Sequence, residues 1–261
     1  MFRTAVIASG SKGNCILVSG NQTAILVDVG IPMYKVLKGL EQLNFDKAKI
    51  RGIIISHEHG DHIKGVGAVA RYLQIPVFIT PDTYSACSNR LGNLHSDVEF
   101  ISAGETFQVE DLIIHPFSSP HDAIDSCNFT IKQEGNPELK LAIAMDVGYQ
   151  NRLLTQHLAN CTTLILESNH DLQMLKNGPY DWPLKQRILS NQGHLSNLDA
   201  VGVISQVIHS GLKNIILAHL SEINNLPSLA EKTMRDYLQS INSTTRLFIA
   251  EQNSPTDFID I

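Results

Sequence analysis

The sequence contains few cysteines, and they are not arranged as in a disulfide framework or a zinc finger. Cys15, Cys87, Cys127 and Cys161 are scattered along 261 residues without a Cys-x-x-Cys pair. Isolated cysteines of this kind are typical of small buried side chains in a reducing compartment. The cysteine pattern therefore excludes a disulfide-rich secreted domain and favours a cytoplasmic protein.

The sequence also lacks long hydrophobic runs and an excess of basic residues. No apolar stretch approaches the length that spans a bilayer, and the first residues do not resemble a secretory signal, so we expect no membrane association and a cytoplasmic location. The formal net charge of −6 and the pI near 6.0 disfavour nucleic-acid binding through charge alone. Bound divalent ions would make the local charge positive, so a phosphate substrate remains possible.

Short apolar runs alternate with amphipathic segments, without an internal repeat, a low-complexity tract or a flexible linker. Predicted strands cover residues 4–8, 15–19, 24–28, 52–56, 77–80, 112–117, 128–132, 141–145, 163–167, 215–218 and 246–249. Predicted helices cover residues 32–43, 63–72, 83–91, 150–159, 184–189, 197–209 and 228–241. Ser196 and Asp199 resemble a helix-capping arrangement. The pattern predicts one α/β domain over residues 1–261.

One short segment concentrates side chains that bind metals. The segment Ser-His-Glu-His-Gly-Asp-His, residues 56–62, directly follows an apolar run. Residues two apart in extended backbone point the same way, so His57 and His59 are expected to bind one ion, while Asp61 and His62 follow on a turn and face a second position. Imidazole and carboxylate groups suit zinc, manganese or iron. The alternative, a solvated loop that happens to hold histidines, explains the spacing less well.

Polar residues that can bind metals also recur at the downstream ends of apolar runs. They are Asp28, His57, Asp146, Glu167 and His219. Each one alone could be a loop carboxylate or an ordinary buried histidine. Because rigid strands that deliver side chains from their ends to one rim build a well-defined site, we expect these five to converge.

These motifs resemble the metallo-β-lactamase fold superfamily, whose signature is His-x-His-x-Asp-His after a strand. Within it, the likeness is to the YycJ/WalJ group of bacterial hydrolases. The other segments that carry the resemblance are SGSKGNC at 9–15, PHDA at 120–123, MDVGY at 145–149, ESNHD at 167–171, GHLSN at 193–197 and AHLS at 218–221. The resemblance implies an α/β fold (α+β in some schemes), a four-layer αββα sandwich with two sheets face to face and helices outside.

The resemblance also implies a ligand set for two divalent metal ions, zinc or manganese, with iron as a further candidate. The ligands of the first ion would be His57, His59 and His121. Those of the second ion would be Asp61, His62 and His219. Asp146 would bridge both ions, with a water or hydroxide between them. Nitrogen and oxygen ligands with an open bridging position are typical of a catalytic site, whereas a structural zinc site is closed.

Three further roles follow from the resemblance. Asp28 resembles an aspartate that braces the histidine loop by hydrogen bonds, the alternative being a simple turn carboxylate. Glu167 and His194 resemble a pair in RNA-cutting members such as tRNase Z, in which the carboxylate favours a protonated histidine that supplies a proton to the leaving group. The alternative for His194 is that it only caps or packs at the following helix. Asp61 would also orient the nucleophile.

The predicted function is a metal-dependent hydrolase with a dinuclear site and a bridging hydroxide that cleaves phosphodiester bonds. The resemblance to the YycJ/WalJ group implies DNA or RNA as the substrate, with 5′ exonuclease action in DNA repair as the specific hypothesis. The alternative is a hydrolase of a small cyclic phosphodiester, a lactone or a thioester. A metal-stabilised binding module and a mononuclear iron oxygenase are further alternatives, against which the full ligand set argues. The sequence leaves the oligomeric state open.

Other charged or ring side chains are weaker candidates for substrate contacts. The basic candidates near the rim are Lys12, Lys64, Lys185 and Arg187, with solvated surface charge as the default interpretation. His170 is expected either to contact the substrate or to pack behind the residues that orient the metal ligands. The histidines that match no site motif are His95, His115, His157 and His209, which are expected to be surface or core residues.

Overall fold

The computed structural model describes residues 1–94 and 98–261, and within them the chain forms two seven-stranded sheets. The strands of the first sheet are β1 (Arg3–Ala8), β2 (Cys15–Ser19), β3 (Ala24–Val27), β4 (Ile50–Ile54), β5 (Val77–Ile79), β6 (Val98–Phe100) and β14 (Ile259–Asp260). Those of the second sheet are β7 (Phe107–Val109), β8 (Leu112–Ser118), β9 (Cys127–Gln133), β10 (Asn136–Ala144), β11 (Thr163–Glu167), β12 (Asn214–Ala218) and β13 (Arg246–Ile249). The order is β14-β1-β2-β3-β4-β5-β6 in the first and β13-β12-β11-β10-β9-β8-β7 in the second.

Helices lie on the outer faces of the sheets or beside the edge where the parallel strands end. They are α1 (Met33–Gln42), α2 (Gly60–Ile63), α3 (Val66–Leu73), α4 (Pro81–Leu91), α5 (Arg152–Leu158), α6 (Leu172–Asn177), α7 (Trp182–Ile188), α8 (Asn197–Val207) and α9 (Pro227–Ser240), with a 3₁₀ turn at Lys47–Lys49. Helices α1, α3 and α4 pack on the first sheet, and α5, α8 and α9 on the second. Among these helices none is long and apolar enough to cross a membrane, within the part of the chain that the structure describes.

The core has three apolar layers, one between the sheets and one beneath each helical layer. Between the sheets, Ile16 and Ile54 of the first sheet share a cluster with Phe129 and Ile143 of the second. Strands β11 and β12 are buried at every position, because helices cover one face and the other sheet covers the other. This double burial explains why they appear in the sequence as continuous apolar runs. The predicted αββα sandwich is confirmed.

The structure corrects some predicted elements. The helix predicted over 63–72 is two helices, because the Gly65 amide donates to the Val29 carbonyl (2.8 Å) between the end of α2 and the start of α3. The strand predicted over 52–56 ends at Ile54. Elements β6, β7, β14 and α6 are missing from the prediction because they are too short to show a period. The capped start of α8 is confirmed, since Ser196 and Asp199 form a capping box.

Candidate metal centre

The candidate site lies where parallel strands of both sheets end. Strands β3 and β4 run parallel in the first sheet, and β10, β11 and β12 run parallel in the second. Their downstream ends therefore lie at the same edge of each sheet. His62, which follows β4, places Nε2 3.1 Å from Oδ2 of Asp146, which follows β10. The two sheets thus bring their strand-end side chains together.

Three of these strand-end residues have left-handed backbone. Asp28, Asp146 and His219 have φ angles of 57°, 54° and 55°, a region in which non-glycine residues are uncommon but Asp and His are enriched. Such a conformation costs on the order of 1–3 kcal/mol and persists only where its surroundings enforce it. The His219 amide donates to Ser9 Oγ (2.7 Å), and the Asp146 carbonyl accepts from Ser119 Oγ (2.8 Å). These contacts hold the turns that aim the side chains.

Three imidazoles converge in the first ligand group. Nδ1 of His59 lies 3.0 Å from Nε2 of His57 and 3.3 Å from Nε2 of His121. One ligand atom from each ring lies within 4.8 Å of the others, so the group could hold a metal ion. Burial lowers the pKa of His57 and of His121, which favours the neutral, metal-binding form of both rings. The structure brings together the three residues predicted for the first ion.

Hydrogen bonds orient two of these rings. Ser56 Oγ donates to Asp28 Oδ2 (2.8 Å) and lies 2.9 Å from Nδ1 of His57, so it accepts the proton of that nitrogen. Nδ1 of His121 lies 3.2 Å from the Gly193 carbonyl, which can only accept. Both rings therefore carry the proton on Nδ1 and leave Nε2 free to bind a metal.

The second ligand group combines two imidazoles and a carboxylate. Oδ2 of Asp61 lies 3.4 Å from Nε2 of His219 and 3.6 Å from Nε2 of His62. Nδ1 of His62 lies 2.8 Å from Oδ2 of the fully buried Asp28, which leaves Nε2 facing Asp61. Asp28 therefore contacts both Ser56 and His62, as expected of a residue that braces the histidine segment. The predicted turn that carries Asp61 and His62 is the short helix α2.

Asp146 lies between the two ligand groups. Its Oδ2 is 3.1 Å from Nε2 of His62, and its Oδ1 is 3.7 Å from Nε2 of His121. Burial raises the pKa of Asp146, but the charges of His219 and His62 outweigh burial and hold this pKa well below its usual range. A carboxylate in this position can contact ions in both groups.

The residues present fit divalent metal ions. Asp146 Oδ2 and His219 Nε2 are buried and have no hydrogen-bond partner among residues 1–94 and 98–261. An unpaired buried polar atom costs about 1–3 kcal/mol, and a cation between such atoms would remove that cost. The ligand atoms are imidazole nitrogens and carboxylate oxygens, the set expected at a catalytic rather than a structural zinc site.

Glu167 makes more contacts than the sequence indicates. Its Oε1 accepts from Nδ1 of His194 (2.7 Å), as predicted, and also from Nδ1 of His219 (2.9 Å). Its Oε2 accepts from the amides of Val147 and Leu195, both at 3.0 Å. Burial raises the pKa of Glu167, but the charge of His194 and the two imidazole hydrogen bonds outweigh it and lower this pKa to about 2. Glu167 is therefore an anion that orients a predicted ligand and a predicted acid together.

His194 lies at the surface of the cleft beside Asp146. Its side chain is 20% exposed, and Nδ1 is 3.5 Å from Oδ1 of Asp146. Burial lowers the pKa of His194, but the Glu167 carboxylate outweighs burial and raises it above the ordinary value. Because Ser196 and Asp199 cap α8, His194 is not needed as the cap.

Two residues near α2 have roles that the sequence reasoning did not assign. The amide of the buried Asn14 donates to the carbonyl of Asp61 (2.8 Å), and its Nδ2 lies 3.2 Å from Nε2 of His62. A Cβ on Gly30 would lie 1.6 Å from the same Asp61 carbonyl, so only glycine fits there. Asn14 belongs to the SGSKGNC segment, and that match was the signal that could have identified it.

A cleft of about 310 Å³ opens over these side chains. One wall of the cleft is formed by α7 and the residues before it, including Tyr180, Leu184 and Arg187. Arg187 forms an ion pair with Asp122, which also lines the cleft. Lys185, predicted near the rim, instead donates to two backbone carbonyls at the end of α6. The cleft is therefore polar at its floor and partly apolar along one wall.

The remaining histidines among the described residues lie outside the cleft. His170 is 1% exposed, which corrects the prediction that it could contact substrate, and burial lowers its pKa to about 4. His115 and His157 stack with ring centroids 5.1 Å apart, and Nε2 of His209 donates to the Cys161 carbonyl (3.0 Å). These contacts agree with ordinary packing roles. His95 lies outside the described residues.

Two facing sheets with histidines and aspartates at one edge define the class of metal-dependent hydrolases with the metallo-β-lactamase fold. The model of the metallo-beta-lactamase superfamily matches residues 8–125. Exodeoxyribonuclease YycJ of Bacillus anthracis is 35% identical over 236 residues, which cover 90% of this chain and 88% of that protein. Exodeoxyribonuclease WalJ of Streptococcus pneumoniae serotype 2 is 33% identical over 240 residues, which cover 91% and 88%.

A solved structure shows the same fold. The metallo-beta-lactamase fold protein YhfI from Bacillus subtilis superposes with a TM-score of 0.72 over 97% of this chain and 99% of that one, at 17% identity. The chain belongs to the metallo-β-lactamase superfamily and, within it, to the family of YycJ and WalJ. It is a metal-dependent hydrolase whose cofactors are divalent metal ions.

Proposed function

We propose that this chain is a phosphodiesterase that removes nucleotides from the end of DNA, using two divalent ions held side by side. The observation that carries the proposal is the position of Asp146 between two ligand groups, with Oδ2 3.1 Å from His62 and Oδ1 3.7 Å from His121. The names of YycJ and WalJ support DNA as the substrate and exonucleolytic cleavage as the reaction.

The ligand atoms favour zinc or manganese, with iron as the third candidate. The first ion would be held by His57, His59 and His121. The second would be held by Asp61, His62 and His219. Asp146 would contact both ions. When bound, such ions supply an activated water and neutralise charge on the phosphate oxygens.

The protein side chains orient this chemistry. Asp28 and Ser56 keep the protons of His57 and His62 on Nδ1, so that both rings present Nε2. Glu167 does the same for His219. Asp61, which faces the cleft, also orients the attacking water. These contacts prepare the ligand set before a substrate binds, which reduces the rearrangement needed during the reaction.

His194 supplies the proton to the leaving group. The carboxylate of Glu167 accepts from Nδ1 of His194 and stabilises the imidazolium form. The proton on Nε2 is then the one that can pass to the leaving alkoxide as the P–O bond breaks. The ring returns to the neutral form, with Nδ1–H still bound to Glu167, and takes up a proton from solvent before the next cycle.

A hydrolase of small cyclic phosphodiesters is the second candidate, because the cleft of about 310 Å³ by itself would hold a small substrate. The test uses purified protein loaded with zinc or with manganese. The substrates are 5′-labelled single-stranded and duplex DNA, RNA, a cyclic phosphodiester, bis-(p-nitrophenyl) phosphate and a lactone. We expect release of nucleotides from a DNA end together with hydrolysis of the nitrophenyl diester.

Asp146→Ala is the matching variant, and it should lose both bound metal and cleavage. Asp257→Ala changes an exposed aspartate and is the control, which should keep both. Turnover of the lactone or the cyclic diester with no cleavage of DNA or RNA would contradict the nuclease proposal. Full metal content and full activity in Asp146→Ala would contradict the bridging role.

A further inference from the structure

A second, larger groove joins the catalytic cleft. It has a volume of about 830 Å³ and shares Ser11, Gly60 and Asp61 with the cleft. Since Asp61 belongs to the second ligand group, the groove begins beside the ligand cluster. From there it runs along the start of α1, with Tyr34 and Lys35 in its wall. A chain-like substrate bound in the cleft can therefore continue into the groove.

The groove carries charge of the opposite sign to the whole chain. The formal net charge of the protein is −6, yet the basic side chains that line the groove are Lys12, Lys35, Lys64 and Arg90. Asp61 is the acidic residue among its lining, and a bound cation would offset that charge. A local basic surface on an acidic protein attracts polyanions to one place rather than to the whole surface.

These cations are held loosely and can reach phosphate groups. Lys12 pairs with Glu222 at 2.5 Å, but its side chain is 72% exposed, so the pair is worth little and exchanges readily. Lys35 Nζ donates to Asn253 Oδ1 at 3.1 Å, an exposed contact. Lys64 is also exposed, one residue beyond the end of α2. Such side chains suit ionic contacts with a flexible backbone of phosphates.

Tyr34 adds an aromatic surface to this basic groove. The residue is 65% exposed, although it lies in the first turn of a helix that packs on the first sheet. A single exposed aromatic residue is ordinary on a protein surface. Its position beside Lys35 in a groove that leads to the ligand cluster is what distinguishes it. Unpaired bases stack on aromatic rings between basic residues in proteins that bind single strands.

We propose that this groove binds the single polynucleotide strand adjacent to the bond that is cut. Phosphates contact Lys12, Lys35, Lys64 and Arg90, and a base stacks on Tyr34. The smaller cleft then holds the end of the strand, because α7 closes off that cleft. Stacking on Tyr34 requires an unpaired base, so the groove selects a single strand over a duplex. The link to cleavage rests on the function proposed above, whereas binding in the groove does not.

The test measures binding rather than turnover. The probe is a short fluorescein-labelled DNA strand with phosphorothioate linkages, which resist cleavage, added to metal-loaded protein over a range of salt concentrations. In Lys35→Gln/Lys64→Gln, loss of two phosphate contacts should lower the slope of log Kd against log salt by about 1.4, at roughly 0.7 per contact. At about 0.1 M salt, binding should weaken on the order of tenfold.

Tyr34 provides an independent measurement. Tyr34→Ala should weaken binding about fivefold or more without changing the salt slope, since stacking is not ionic. Tyr34→Phe keeps the ring and should restore wild-type affinity. Equal loss in both variants would show that the hydroxyl or the local fold matters rather than the ring, and would overturn the stacking assignment.

The matched control is Lys49→Gln/Lys213→Gln, which removes the same charge from two exposed residues. Lys49 precedes β4 and Lys213 precedes β12, so both lie at the ends of the strands opposite to the ligands. This control should bind the probe as the wild type does. The same loss in control and groove variants would overturn the proposal, because it would show that only net charge matters.

Further probes separate the ligand classes and the two proposals. Single-stranded RNA, duplex DNA and polyglutamate replace the DNA strand in turn, and equal binding of duplex or polyglutamate would overturn selection of a single strand. Groove-dependent binding of DNA without any cleavage of the unmodified strand would contradict the proposed function and support the groove. Cleavage of DNA with unchanged binding in every groove variant would overturn the groove and leave the function standing.

Discussion

The replacement of Glu167 by glutamine tests the contacts that orient His219, a predicted ligand of the second group, and His194, the proposed acid. The carboxylate is fully buried and accepts four hydrogen bonds. Two come from the imidazoles of His194 and His219, and two from the amides of Val147 and Leu195. In Glu167→Gln one oxygen becomes an NH₂ group, which donates hydrogen bonds and cannot accept them. The side chain can then satisfy only one of the two pairs.

Each orientation of the glutamine has a different cost. If its oxygen faces the imidazoles, the amides of Val147 and Leu195 lose their acceptor, and two unpaired donors should lower the free energy of unfolding by about 2–6 kcal/mol. If its NH₂ group faces the imidazoles, the Nδ1 of His219 must accept, and its proton moves to Nε2. That nitrogen faces Asp61, so metal affinity should fall roughly 10- to 100-fold.

Two assays distinguish these costs. Urea unfolding in the presence of a chelator reports the free energy of unfolding without metal, and titration calorimetry with zinc reports the affinity. Glu231→Gln, on the exposed face of α9, is the control; it removes a surface ion pair with Arg235 and should change stability by less than about 1 kcal/mol. If the Glu167→Gln protein has the stability of the control and the zinc affinity of the wild type, the four hydrogen bonds of Glu167 do not have the roles described.

Three further predictions concern the residues around Glu167. Asp28→Asn should lower zinc affinity roughly 10- to 100-fold by calorimetry, because Ser56 and His62 lose a charged acceptor; unchanged affinity would remove the bracing role. His194→Gln should keep its metal content, yet slow cleavage of diesters with poor leaving groups on the order of 100-fold or more, with a smaller effect on nitrophenyl diesters. An equal effect on both would argue against proton donation. The wild-type cleavage rate should fall as pH rises through the pKa of His194, because the Glu167 carboxylate raises that pKa. In Glu167→Gln this fall in rate should occur at lower pH. An unchanged pH–rate profile would show that another group causes the fall.

The left-handed turns explain why aspartate and histidine stand at these strand ends. Asp28, Asp146 and His219 each need a φ near +55° to end a parallel strand and turn toward the cleft. Glycine adopts this conformation more easily but brings no side chain. Polar residues accept the strain, which is offset by the hydrogen bonds made at each turn. The same positions therefore end the strands and carry two predicted ligands, Asp146 and His219, and Asp28, the residue that contacts Ser56 and His62.

Local sequence patterns predicted one α/β domain and indicated several of the side chains that converge at the site, whereas the αββα sandwich and the roles of His121 and His194 were implied by the resemblance to the metallo-β-lactamase superfamily. Continuous apolar runs predicted β11 and β12, because strands buried on both faces need no polar positions. The dense segment 56–62 indicated metal ligands through residue type and spacing, and the ends of apolar runs indicated Asp28, Asp146, Glu167 and His219. These signals lie within short windows, where chain direction and side-chain period are set by covalent geometry.

The remaining features depend on contacts between distant parts of the chain. Ser9 holds the amide of His219 across 210 residues, and Glu167 reaches His219 across 52. Neither contact leaves a local pattern, because serine and glutamate are common and only the order of strands brings them together. The groove beside Tyr34 likewise combines residues from α1, α2 and α4. Residue types and spacing thus determined which groups can bind metal, whereas tertiary packing decided how those groups are oriented and where a substrate can extend.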